Sequence, residues 1–161
     1  MPHQLIINGV TYGNLETLNA TQSYGRVEGG RSSQRMADGS LVSQCFWSKI
    51  STTLTGTGAI PPGLDALDEG ISYTIKCLGP RTISSATPSI TLPTRRTDVA
   101  VEYSAWVGGD LVDWDGLSVV AGAQSYRATY VPEITARLVA KSVNGDIYSA
   151  RWAWSLTFEE I

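Results

Sequence analysis

Histidine is nearly missing from this sequence: 161 residues contain one, His3. A Ser-His-Asp or Cys-His constellation needs an imidazole between a nucleophile and an orienting group. With its single base beside the terminus, the chain is not expected to be a hydrolase of that kind, and His3 reads as an ordinary residue of a first strand. Cysteine is almost as scarce. Cys45 and Cys77 lie far apart, and neither belongs to a Cys-x-x-Cys pair. Two cysteines and one histidine cannot supply the four soft ligands of a structural zinc site. They are either a disulfide or two buried thiols, and buried thiols are the expectation in a chain without a secretory signal.

Long apolar runs are lacking too. No stretch approaches the ~18 residues of a membrane span, and residues 1–10 have no basic start followed by an apolar core, so neither membrane insertion nor a signal peptide is expected. Charge is thin: 17% of residues are charged, against roughly 25% in an average soluble protein. Gly, Ser and Thr fill much of the difference, which suits a surface made for contact. The formal net charge of −3 gives no field for polyanions, so stable nucleic-acid binding is not expected. Nine of the twelve basic residues are arginine. Planar guanidinium groups pair bidentately and stack on aromatics, and a surplus of them leans towards protein interfaces.

Sequence motifs for bound groups are weak. Asp110, Asp113 and Asp115 followed by Gly116 superficially suggest a calcium loop, but the terminal bidentate Glu is missing and Val112 and Trp114 intervene, so an Asp-rich turn is the better reading. Asp65, Asp68 and Glu69 sit too close together to face each other across a sugar, and read as solvated or capping groups. Gly29-Gly30 and Gly56-x-Gly58 lack the Lys or the βαβ context of a phosphate loop. Asn19-Ala20-Thr21 matches a glycosylation acceptor that is idle without a secretory route. No cofactor, metal or small-molecule substrate is implied, and the chain is expected not to be an enzyme.

What is abundant is β-branched and aromatic residues in short runs separated by Gly, Pro, Asn and Asp. A first strand is expected over 3–7, turning at Asn8-Gly9 into 10–12. Residues 31–37 are polar, and Asp38-Gly39 is a second turn. The run 41–55 reads as one long strand, with Val42, Phe46, Ile50 and Leu54 on one face and Cys45 and Trp47 on the other. Pro61-Pro62-Gly63 opens a segment, 64–68, suited to one helical turn. Over 71–78, Ile71, Tyr73, Ile75 and Cys77 alternate with polar residues, as in a strand with one buried face. The proline-broken 80–97 is expected at an edge or crossing. Gly108-Gly109 joins a hairpin of 99–106 and 111–114, and 124–131 is a further strand ending at Pro132. Asn144-Gly145 signals a hairpin of 134–143 and 147–158, with Tyr148, Trp152, Trp154, Leu156 and Phe158 sharing the core face. Losing the last ten residues is expected to unfold the domain. The expectation is therefore one all-β domain over 1–161, a β-sandwich or partly open barrel of about eight or more antiparallel strands with one short helical turn.

The five tryptophans read either as core or as contact groups. Trp152 and Trp154 alternate in a strand and read as core. Trp106 and Trp114, flanking a glycine turn, are open to both readings; on the contact reading they mark a loop tip that inserts into a neighbour. With seven tyrosines on a β scaffold, they also motivate the alternative of a carbohydrate-binding module contacting host-surface glycan.

Several segments resemble small tail proteins of tailed bacteriophages. They are Gly30-Arg31 with 35–40 (Arg-Met-Ala-Asp-Gly-Ser), 47–50 (Trp-Ser-Lys-Ile) with 52–56, 60–68 (Ile-Pro-Pro-Gly-Leu-Asp-Ala-Leu-Asp), 77–81 (Cys-Leu-Gly-Pro-Arg), 92–93 with 95–98, and 152–160 (Trp-Ala-Trp-Ser-Leu-Thr-Phe-Glu-Glu). The resemblance covers most of the chain, and none of these segments is a metal or phosphate motif. It implies a virion structural protein made in the bacterial cytoplasm, repeated as a ring near the distal tail tip or baseplate, with copies of itself and other tail proteins as partners. Tube, terminator and head-decorating positions remain open. Ring contacts are heterologous, and the residues expected to make them are Arg31, Arg35, Arg81, Arg95, Arg96, Pro61, Pro62, Trp106 and Trp114, with loops 26–34 and 55–63 reaching outward. Each arginine reads equally well as a solvated surface residue.

Overall fold

The computed structural model describes residues 3–13, 16–146, 148–149 and 151–161. The chain opens with β1 (Leu5–Ile7) and β2 (Val10–Tyr12). Asn8 (φ 51°) and Gly9 (φ 82°) join them in the doubly left-handed turn whose twist matches a two-residue hairpin. There follow β3 (Leu18–Arg26), β4 (Arg31–Arg35), β5 (Leu41–Cys45), β6 (Ile50–Gly58) and β7 (Ser72–Lys76). The second half holds β8 (Arg81–Ser85), β9 (Glu102–Val107), β10 (Asp110–Asp113), β11 (Ala123–Tyr130), β12 (Glu133–Asp146) and β13 (Arg151–Glu160). The fold is all-β, and every strand pairing is antiparallel.

Seven strands form the main sheet in the order β2-β1-β7-β12-β13-β6-β3. Its inner face carries Leu5, Ile7, Leu54, Ile75, Leu138, Leu156 and Phe158, all fully buried, with the Tyr73 ring standing edge-on to Phe158. Each of these large side chains contributes ~1.5–3 kcal/mol through loss of apolar contact with water. The alternation of Trp154, Leu156 and Phe158 inward makes the C-terminal strand a central strand of this sheet.

Although β3 and β7 are far apart in strand order, side chains of β3 reach the segment after β7. The Gln22 carbonyl oxygen accepts the amides of Leu78 and Gly79 at 2.7 and 3.0 Å, and the Tyr24 hydroxyl donates to the Gly79 carbonyl at 2.6 Å. The sheet has therefore curled into a half-barrel, and side chains rather than a backbone ladder span the gap. Gln22 also donates to the fully buried Thr52 hydroxyl, which donates to the Ser23 carbonyl, so the polar groups inside the curl are satisfied.

The second sheet, β10-β9-β11-β8, has a separate small core of Ala105, Trp114 and Tyr126. Gly108 (φ 60°) and Gly109 (φ 102°) close the β9–β10 hairpin as expected, and β8, in the proline-broken region, is an edge strand of this sheet. The third sheet is the β4–β5 pair alone.

Six expectations are corrected. Residues 64–68 form no helical turn: one hydrogen bond, from the Leu67 amide to the Leu64 carbonyl, closes a simple turn, and Lys141 Nζ binds the carbonyls of both. The run 41–55 is not one strand, because the chain breaks after Cys45 and resumes at Ile50 in a different sheet. The stretch 26–34, expected as an outward-reaching loop, contains most of β4. Asn144-Gly145 is not the turn, for Asn144 pairs with Ala153 and Gly145 with Trp152 in the ladder. The connection lies beyond Asp146, whose carboxylate accepts the Tyr148 amide and the Ser149 hydroxyl. Tyr148 therefore leaves the core face and is fully exposed. Finally, both cysteines are free thiols, but only Cys77 is buried; Cys45 is exposed.

Candidate assembly surfaces

The β4–β5 hairpin is built from residues that alternate without a core to face. All ten strand residues are exposed, on both sides. Its tip is fixed locally. The Met36 amide donates to the Ser40 carbonyl, and Asp38 accepts the Ser40 amide at 2.9 Å and the Ser40 hydroxyl at 2.7 Å. Those bonds hold the Asp38 carboxyl below the usual range. At its root the Phe46 amide donates to the Gly30 carbonyl, and the Trp47 ring packs so tightly over Gly30 that a side chain there would collide with it.

Register sorts the arm into two faces. Arg35 pairs with Leu41, Ser33 with Ser43 and Arg31 with Cys45, giving a basic face; Gln34 pairs with Val42 and Ser32 with Gln44 on the other, where Met36 and these four line a shallow groove. Met36, Leu41, Phe46 and Trp47 are all exposed, Phe46 by 69%. A lone two-stranded hairpin is marginal in water, and this one displays apolar side chains from an element that has no third strand among the described residues.

The second surface is the β9–β10 end of the four-stranded sheet. Leu111 pairs with Trp106 and Asp113 with Ser104, so these side chains share the outer face with Glu102. Trp106 is 36% exposed, and the Arg127 guanidinium lies 5.8 Å from its ring centre. Beyond β10 the loop projects Leu117, 87% exposed, and Val119. Asp115 organises that loop by accepting the Leu117 and Ser118 amides and the Ser118 hydroxyl, which hold its carboxyl below the usual range. Its oxygens serve the turn.

The expected contact residues divide accordingly. Arg31 and Arg35 stand together on the arm, Arg95 and Pro61 are exposed elsewhere, and Trp106 is exposed on its sheet face. Arg81 lies 5.3 Å over the Tyr24 ring and lines a cleft with Pro93, Tyr130 and Glu160. Three are withdrawn from contact. Trp114 is buried against Tyr103 and Tyr126, its indole N–H donating to the Ser118 carbonyl, so the tip does not insert through it. Pro62 is buried. Arg96, only 3% exposed, donates to the carbonyls of Gln4 and Cys77 and forks onto Asp98 at 3.1 and 2.7 Å. That pairing, helped by Lys76, brings the Asp98 carboxyl down to about 2. Arg96 is a strut that ties the first strand to the end of β7.

Sequence reasoning overlooked Met36, Leu41, Val42 and Phe46 as surface groups. The available signal was a set of apolar residues in a stretch whose polar neighbours, Ser32, Ser33, Gln34 and Gln44, leave neither strand face fit for a core.

Among the described residues no group of three or more His, Cys, Asp or Glu is placed to hold a metal ion, and no helix is long and apolar enough to cross a membrane. Compared with known proteins, the chain matches no protein-family model, no curated protein and no solved structure.

Proposed function

We propose that this chain is a non-enzymatic structural protein of a bacteriophage tail, assembling into a ring at the distal tip or baseplate through protein contacts. The supporting observation is the β4–β5 arm, which has exposed apolar side chains on both faces and no third strand. Contiguous apolar exposure of this kind favours burial against protein, and an arm that reaches a different patch on its neighbour makes the heterologous contact from which rings close. The tail assignment itself rests on the resemblance of the sequence segments. It is tested by mass spectrometry of washed particles and by electron microscopy of particles carrying a labelled copy. The label is expected at one end of the tail; its absence from particles, together with a purified chain that stays monomeric at high concentration, defeats the proposal.

A carbohydrate-binding module is the second reading, favoured by exposed Trp106 on an outer sheet face. Arg127 lies near that indole and competes with a sugar for stacking on it. A glycan array and Trp fluorescence titrated with host polysaccharide discriminate: a saturable response lost in Trp106→Ala supports glycan contact, and no response removes it.

A further inference from the structure

We propose that the basic face of the β4–β5 arm docks on the acidic outer face of the four-stranded sheet of a second copy of this chain, with Arg31 and Arg35 meeting Glu102 and Asp113. The inference rests on the assembly reading above and names the two surfaces that meet.

Charge separates them. Residues 26–49 hold Arg26, Arg31, Arg35 and Lys49 against Glu28 and Asp38, whereas residues 102–119 hold Glu102, Asp110, Asp113 and Asp115 with no Lys or Arg. Of these acids Glu102 and Asp113 lie on the outer sheet face, together with one cation, Arg127, which lies beside the Trp106 ring.

Apolar content agrees with charge. On the arm, Arg35 stands across the ladder from exposed Leu41; on the sheet, Asp113 shares its face with exposed Leu111 two positions away. Each surface therefore offers a charged group beside a leucine, so that docking buries Leu41 against Leu111 and Trp106 while the charges meet at the margin. Arg31 and Arg35, four residues apart on a strand, are about 13 Å apart, against ~7–8 Å for the diagonal from Asp113 to Glu102, so the two long arginine side chains converge to reach the carboxylates. Both surfaces are exposed faces of β-sheet, and sheet faces pack against each other. The contact joins two different patches, and each copy retains one of each, as ring growth needs.

Charge reversal in the full chain tests this. Variant one carries Arg31→Glu and Arg35→Glu; variant two carries Glu102→Lys and Asp113→Lys. All four positions are exposed, and far-UV circular dichroism checks each fold. In sedimentation velocity at low salt, the wild type is expected as oligomers, each variant alone as monomer, and an equimolar mixture as oligomers again, because each reversed face finds its complement on the other variant. If reversal prevents folding, the neutral substitutions Arg35→Gln and Asp113→Asn replace it, each expected to raise the concentration of half-assembly about tenfold, the equivalent of ~1.4 kcal/mol. Wild-type oligomers with variants that assemble unchanged, or a mixture that stays monomeric, overturn the docking surfaces and leave the assembly reading standing. A wild-type chain that is itself monomeric overturns both.

Discussion

The Trp154 indole lies across Gly56, its partner on the neighbouring strand, and its N–H donates to the Glu16 carbonyl at 2.9 Å. A methyl group at position 56 would stand 2.6 Å from the ring. Gly56→Ala must therefore displace a ring whose anchored N–H stands beside the new methyl. We expect a loss of about 1–3 kcal/mol from overpacking, read as a lower urea midpoint with a shifted Trp emission. A gain in stability would mean the ring swings aside freely.

Arg96 offers a second expected outcome. Removing its guanidinium leaves the Gln4 and Cys77 carbonyls without their donor. Gln4 is exposed and water can replace the lost donor there, whereas the bond to the Cys77 carbonyl is buried; one buried acceptor left unpaired costs ~1–3 kcal/mol, so Arg96→Ala is expected to lower stability by about that much in urea unfolding. The adjacent, exposed Arg95 provides the contrast: Arg95→Ala should stay within about 0.5 kcal/mol.

Acid should weaken the fold over a defined window. Asp98 ionises near 2 in the folded chain against an ordinary value of 3.8. A carboxyl whose folded value is depressed contributes fully above the unfolded value and loses its contribution as pH falls towards the folded one. Stability should therefore decline between about pH 4 and pH 2, and Asp98→Asn should flatten part of that decline. Asp38, Asp115 and Asp146 are also lowered, through their turn bonds, so some slope should persist. An unchanged slope in Asp98→Asn would show that the pairing with Arg96 is not coupled to folding.

Arm and body should separate genetically. No arm strand belongs to the main sheet, so replacing residues 30–46 with a short Gly-Ser turn should leave the thermal midpoint within a few degrees, since loop length changes closure entropy only slowly. Oligomers should vanish. Oligomers that survive the deletion would place assembly elsewhere; a collapsed midpoint would make the arm part of the folded core.

Local turn chemistry was legible wherever nothing overrode it: Asn8-Gly9 and Gly108-Gly109 both adopt the left-handed conformations that their residues allow. Asn144-Gly145 failed for a tertiary reason. The Trp152 ring occupies the space where a side chain at 145 would sit, so the glycine serves a cross-strand stack and the ladder continues to Asp146. The 41–55 run was misread because its apolar period passes through a corner between sheets, which periodicity does not register. Strand β4 escaped notice because strand patterning presumes one buried face, and here there is none. At the candidate surfaces the arginine surplus pointed to Arg31 and Arg35, but residue type alone did not distinguish them from Arg96, whose role depends on carbonyls 92 and 19 residues away in sequence.

The contrast between the two thiols makes the chain a natural reporter of its own integrity. Cys77 lies in the core, where burial pushes its thiol pKa up, while Cys45 stands open at the root of the arm. Since the thiolate is the reactive form, an alkylating dye should attach once to the native chain and a second time only when the interior opens. Reagent stoichiometry then counts unfolding events without any introduced tag, and protection of the first site marks the moment another molecule covers the hairpin.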